Sequence, residues 1–163
     1  DGKKLEIGSE GEVCIRGDNV TSGYENNEEA NNSSFTDGWF RTGDQGFFDK
    51  DGYLKISGRL KEIINRGGEK VSPLEIDNVL MEHEAIEQVV TFGVKDKLLG
   101  ETIGVALVLN HGFQCTESEL KEYARQHLAD FKIPKYICFL EEIPKGATGK
   151  LQRIGLADKL GLE

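Results

Sequence analysis

A chain of 163 residues holds one ordinary domain, or one compact domain with part of another. Hydrophobic residues at 37% and charged residues at 30% fit the globular class, away from disordered compositions, and no apolar run approaches the ~20 residues of a membrane-spanning helix. A formal net charge of -9 argues against a nucleic-acid backbone as partner, because that binding rests on clustered lysine and arginine; any anionic ligand has to be met locally by a few placed cations.

Residues 1–57 read as β-rich. The run 12–16 is a short strand, and 46–48 and 53–56 flank Asp49-Lys50-Asp51-Gly52, whose Asp-Gly step favours a hairpin. The polar stretch 25–34 has too few apolar residues to bury a face, which makes it surface loop or a short helix. These elements are too few to close a sheet, and open edges of that kind predict completion by strands from outside the segment.

After Gly58 the pattern changes. Residues 61–65 and 69–71 are joined by Arg66-Gly67-Gly68 and read as a hairpin, since glycine tolerates the positive φ such loops require. Ser72-Pro73-Leu74-Glu75 combines an N-cap serine, proline at the first helical position and glutamate at the third, the pattern of a capping box, with Ile76, Val79, Leu80 and His83 as the buried stripe of the helix that follows. Strands are expected over 89–94 and 102–109. Thr116-Glu117-Ser118-Glu119 repeats the capping box ahead of a second helix marked by Leu120, Tyr123, Ala124, His127 and Leu128. A strand over 136–140, a glycine-bearing loop and a short helix from about Leu151 complete the chain. Strands and helices mixed in this order predict a compact α+β domain, with its boundary at Leu60 to Lys61.

Several chemistries find no support. Cys14, Cys115 and Cys138 are dispersed and form no C-x-x-C pair, which fits reduced cytosolic or organellar thiols better than a disulfide framework. His83, His111 and His127 lack metal-ligand spacing, no serine lies in a G-x-S-x-G setting, and Glu82-His83-Glu84 reads as a solvated helix end. No metal ligands are expected in the chain.

Three runs do carry chemistry. In Pro144-Lys145-Gly146-Ala147-Thr148-Gly149-Lys150 the long stem of Lys150 can present a point charge to a carboxylate or phosphate arriving from outside the domain; a solvated loop lysine is the plain alternative. The run is not a Walker A loop, which needs four residues between its glycines and a serine or threonine after the lysine. Asp44, in Trp39-Phe40-Arg41-Thr42-Gly43-Asp44, can accept bonds from two vicinal hydroxyls, as in ribose recognition, or can be a turn aspartate. Arg59 offers a fork to ribose or phosphate, or is an exposed cation near a strand end.

Taken together and in this order, Trp39 to Asp44, Gly58 to Glu75 and Pro144 to Lys150 resemble three signature regions of the acyl-adenylate-forming ligases, and the similarity extends from Gly11-Glu12-Val13 to Lys150-Leu151-Gln152-Arg153. The stretch 64–73 looks most like the oxalate–CoA ligase group, which is related to the 4-coumarate–CoA ligases; it departs from the plant coumarate enzymes at Asn65 and Gly67, where those carry lysines. The resemblance implies that residues 1–60 are the β-rich end of a large AMP-binding domain and 61–163 a small C-terminal lid domain of mixed α/β structure. A Ser/Thr/Gly-rich phosphate loop and the acyl pocket are then expected upstream of residue 1.

The resemblance also implies an activity. A small carboxylic acid, oxalate by preference, is activated by ATP with Mg²⁺ to acyl-AMP and is then transferred to coenzyme A as the lid domain rotates. Lys150 would bridge the substrate carboxylate and the α-phosphate, Asp44 and Arg59 would hold the AMP ribose and phosphate, and Lys61 would be the pivot. Asn65, Gly67, Gly68 and Lys70 would line the path of the pantetheine arm. The expected partners are the acid, CoA and the upstream domain, in the cytoplasm or the peroxisome. An adenylation enzyme that loads an aryl acid onto a carrier protein, and a non-catalytic fragment, are the alternatives.

Overall fold

Apolar residues on both faces of two long strands set the centre of the larger half of the molecule. The computed structural model describes residues 2–146 and 149–162. The chain divides into two compact units, Asp1–Lys61 and Glu62–Glu163.

In the first unit β1 (Gly11–Ile15), β2 (Phe35–Thr36), β3 (Trp39–Phe48) and β4 (Leu54–Arg59) form an antiparallel four-stranded sheet, with β1, β2 and β4 all paired to β3. Of the two readings of 25–34, the short helix forms: α1 (Glu28–Ser34) is capped by Asn27, whose side chain accepts from the Ala30 amide. β3 begins seven residues before the strand expected at 46–48, because ladder bonds to neighbours override a stretch whose Arg41, Gly43 and Asp44 break apolar alternation. No hydrophobic side chain among the described residues of this unit is buried, and Ile15, Trp39, Phe48, Tyr53, Leu54 and Ile56 are exposed.

The second unit opens with the hairpin β5 (Ile64–Arg66) and β6 (Glu69–Val71), followed by α2 (Pro73–Met81), β7 (Ile86–Asp96), β8 (Gly100–Leu109), α3 (Glu117–His127), β9 (Tyr136–Phe139) and α4 (Leu156–Lys159). Its five-stranded sheet runs β6-β5-β8-β7, with β9 also beside β8; the β8–β9 pair is parallel and the others antiparallel. Both faces are covered. Val89, Ile103, Val105 and Leu107 pack with Ile76 and Leu80 of α2 and Leu120 and Ala124 of α3, while Val90, Phe92, Val94 and Ala106 pack with Ile143 and Leu156. A side chain such as Phe92, 1% exposed, contributes roughly 1.5–3 kcal/mol through burial.

The expected α+β class is therefore the observed one, with local corrections. The first hairpin strand starts at Ile64, and Lys61 lies instead in a 3-10 turn, Leu60–Glu62. Thr116 and Glu119 form the expected capping box, but Ser72 makes no side-chain cap bond and Glu75 is drawn away to Lys132 Nζ at 2.6 Å. The last helix starts at Leu156, not at 151, because Leu151 is held in a bridge with Lys145. His127 is exposed rather than part of a buried stripe; it ends α3 and stacks on Tyr123 with ring centroids 4.4 Å apart. No helix is long and apolar enough to cross a membrane.

Candidate functional site

Asp44 owes its placement to a bulge. Between the pairs Cys14–Arg41 and Glu12–Gln45, β3 carries more residues than β1, and Gly43 takes up the slack at φ 73°, a conformation natural to glycine. Thr42 stitches the bulge: its hydroxyl donates to the Val13 carbonyl at 2.8 Å and accepts from the Asp44 amide at 3.0 Å. Glu12 closes it from the neighbouring strand, accepting from Arg41 at 2.7 and 2.9 Å and from the Gly43 amide at 3.3 Å. Asp44 is thus a strand residue, not a turn residue, and it faces Arg59 directly across the β3–β4 ladder. Arg59 Nε meets Asp44 Oδ1 at 2.8 Å, with the arginine side chain 60% and the aspartate 27% exposed. A carboxylate and a guanidinium so displayed fit a ribose diol and an adjoining phosphate.

The four residues expected near coenzyme A also come together. Gly67 and Gly68 are the two-residue tip of the β5–β6 hairpin, at φ 60° and 93°, the positive pair that a tight turn of this twist requires. Asn65 and Lys70 are cross-strand partners behind the tip, both exposed, while Ile64 and Val71, the next pair along, are buried. The hairpin is braced from β8 and its turn: Glu101 accepts from the Asn65 amide at 2.7 Å, and the Gly67 amide donates to the Leu99 carbonyl at 2.8 Å.

Lys150 is exposed and sits on one leg of a narrow loop closed by the Lys145–Leu151 bridge and by the Gly146 amide donating to the Lys150 carbonyl at 2.9 Å. Ala147 and Thr148 of this run lie outside the described residues. Lys61 is exposed in its 3-10 turn. Among the described residues no group of three or more His, Cys, Asp or Glu side chains is arranged to hold a metal ion.

One ionic cluster centres on Arg153, outside the three signature runs. Arg153 donates through Nε to Glu62 at 2.9 Å, through Nη1 to the Thr91 carbonyl at 3.1 Å, and pairs with Asp77 Oδ2 at 2.6 Å. Asp77 Oδ1 accepts from the Thr91 amide at 2.7 Å. Burial raises the Asp77 carboxyl above its ordinary range, and the Arg153 guanidinium and the Thr91 bonds offset only part of that rise.

Residues 75–150 match the AMP-binding enzyme C-terminal domain. The chain is 51% identical over 152 residues to the oxalate–CoA ligase of Arabidopsis thaliana, covering 93% of this chain and 30% of that protein. It is 50% identical over 156 residues to the oxalate–CoA ligase of Saccharomyces cerevisiae, covering 94% of this chain and 29% of that one. Residues 75–150 therefore belong to the AMP-binding enzyme C-terminal domain family, and the chain as a whole is similar to members of the acyl-adenylate-forming superfamily. Among solved structures of the superfamily, o-succinylbenzoate coenzyme A synthetase (MenE) of Bacillus subtilis, in complex with ATP and a magnesium ion, aligns with a TM-score of 0.87 at 37% identity over 97% of this chain and 32% of that one. The chain thus spans about 30% of the length of the curated superfamily members it matches.

Proposed function

We propose that the chain acts within a longer polypeptide as the C-terminal portion of an ATP-dependent acid–thiol ligase. Residues 1–60 are its share of the large nucleotide-binding domain, and 61–163 are the mobile lid. The observation that carries this reading is the 51% identity to a plant oxalate–CoA ligase across nearly the whole chain. Oxalate is accordingly the favoured acid. The exposed apolar residues of the first unit, with none buried among those described, support a sheet completed by upstream polypeptide.

In the first half-reaction a substrate carboxylate oxygen attacks the α-phosphorus of ATP, forming acyl-AMP as the bond to pyrophosphate breaks. Asp44 accepts from the ribose hydroxyls, Arg59 exchanges part of its pairing with Asp44 for ribose or phosphate, and Lys150 neutralises charge between the carboxylate and the α-phosphate. Mg²⁺ travels with the ATP phosphates, and no side chain of this chain is given the task of holding it. In the second half-reaction the lid turns at Lys61 and the Gly67–Gly68 tip enters in place of the Lys150 loop. Without side chains, the tip leaves room for the pantetheine arm against backbone, with Asn65 and Lys70 beside it. The CoA thiolate then attacks the acyl carbonyl and AMP leaves. Three free cysteines suit a reducing compartment such as the cytoplasm or the peroxisomal matrix.

The division of labour is tested at Lys150. In the full-length protein Lys150→Ala should lose oxalate-dependent pyrophosphate release by roughly 10²–10³-fold, the size expected for one preorganised electrostatic contact, and should still convert supplied acyl-AMP to the thioester. Equal loss in both half-reactions would refute the assignment.

A further inference from the structure

Among the described residues β7 is an edge strand of its sheet, so the outward amide and carbonyl of a residue midway along it have no strand there to pair with. At Thr91 these groups are met by an ion pair: Asp77 accepts from the amide and Arg153 donates to the carbonyl, while the two side chains bind each other at 2.6 Å. The Arg153 side chain is 18% exposed and the Asp77 side chain 10%, so water screens the pair far less than it would a surface bridge. Arg153 also engages Glu62, the residue after Lys61, at 2.9 Å.

The location of this clamp matters because of what precedes it. The loop closed by Lys145 and Leu151 has two legs. One is anchored by Ile143, fully buried among Val90, Phe92 and Ala106; the other, which carries Lys150, reaches its first interior anchor at Arg153. A long flexible side chain delivers its charge accurately when the backbone beneath it is fixed.

We propose that Arg153, held by Asp77 on the free edge of β7, is a positioning residue for Lys150, fixing the loop leg from which the lysine reaches the reacting carboxylate. The inference rests on the function proposed above, and it adds that one guanidinium ties the adenylation loop to Glu62 beside the pivot. Lysine can replace it only in part, since a single ammonium lacks the fork that spans Glu62, Asp77 and Thr91 together.

The test uses Arg153→Met, Arg153→Lys, Lys150→Ala and the double variants in the full-length protein, with melting temperature and both half-reactions measured. Arg153→Met should lose adenylation by about 10²-fold, as for a misplaced catalytic group, and keep conversion of supplied acyl-AMP within about twofold of the parent. In the Lys150→Ala background it should cost no more than about threefold further, because residues acting as a unit are not additive. If the methionine variant does not fold, Arg153→Lys carries the same comparison, with a smaller loss of about tenfold that again vanishes when Lys150 is absent. Losses that multiply in the double variant, or that fall equally on both half-reactions, would assign Arg153 to stability alone and overturn the inference. Should Lys150→Ala itself leave adenylation intact, the proposed function fails and this inference with it. A normal Lys150 result with multiplying Arg153 losses sinks the inference alone.

Discussion

Asp44 and Arg59 are cross-strand neighbours paired at 2.8 Å, and the arginine side of the pair is open to solvent, so the pair adds little to stability and can be exchanged for a ligand. Removing the carboxylate should therefore spare the fold and weaken the nucleotide. On the proposed function, Asp44→Ala in the full-length protein should lower kcat/KM for ATP by about 10- to 10²-fold, the worth of a hydrogen bond to a charged group, with its melting temperature near that of the parent. An unchanged ATP dependence would remove Asp44 from the nucleotide site. Both residues were legible in the sequence because they lie in runs with a recognisable order. The partnerships of Glu12, Asp77 and Arg153 were not: Glu12 and Arg153 only mark the ends of the resemblance, and each of the three looks like an ordinary solvated charge in a row of letters. Asp77 follows Ile76 in a helix whose buried stripe is apolar, and its partner on the free strand edge is far along the chain. Nothing local marks an acid as buried when its counter-charge arrives from another element.

Elements were readable where local chemistry alone decides them. Thr116 and Glu119 form their capping box, whereas Ser72 makes no side-chain cap bond and Glu75 pairs with Lys132 instead. The parallel β8–β9 pairing depends on a connection through α3, and no periodicity within either strand reveals it. The turn between β7 and β8 shows how one side chain can fix an element. Asp96 Oδ1 accepts from the Leu98 and Leu99 amides at 3.0 and 3.1 Å while Oδ2 meets Lys135 at 2.9 Å, and the same turn supplies the Leu99 carbonyl that holds Gly67. The Lys135 bond first, and the two amides next, lower the Asp96 carboxyl to about 2. A folded pKa below the unfolded value of roughly 3.9 contributes stability that is present above pH ~4 and disappears as pH falls from there towards ~2. Asp96→Asn should accordingly have a lower denaturation midpoint than the parent at pH 7, and the gap should close as the pH approaches ~2. A gap independent of pH would show that the charge of Asp96 contributes nothing.

At the scale of the whole molecule, the change from a sheet without buried apolar side chains to a unit with two apolar clusters was legible as a change in pattern near Gly58, and the two compact units divide between Lys61 and Glu62. What the pattern leaves open is whether the division is a joint, and that is a conformational question. Lys61 occupies a 3-10 turn, whose φ of about −50° to −70° is close to the −65° at which proline is locked. Proline at this position is therefore compatible in φ with the conformation described and opposed to any other that needs a large change in φ. It also restricts Leu60, so melting temperature has to be measured alongside activity to separate a blocked joint from a damaged turn. If Lys61 is the pivot and the adenylation arrangement keeps this turn, Lys61→Pro in the full-length protein should retain acyl-AMP formation and lose thioester formation by about 10²-fold or more, the reverse of Lys150→Ala. Lys61→Ala should do much less, because alanine leaves the backbone free to turn. Were alanine and proline equally harmful in both half-reactions, the side-chain charge of Lys61 would be what matters, and the rotation would have to be placed elsewhere in the chain.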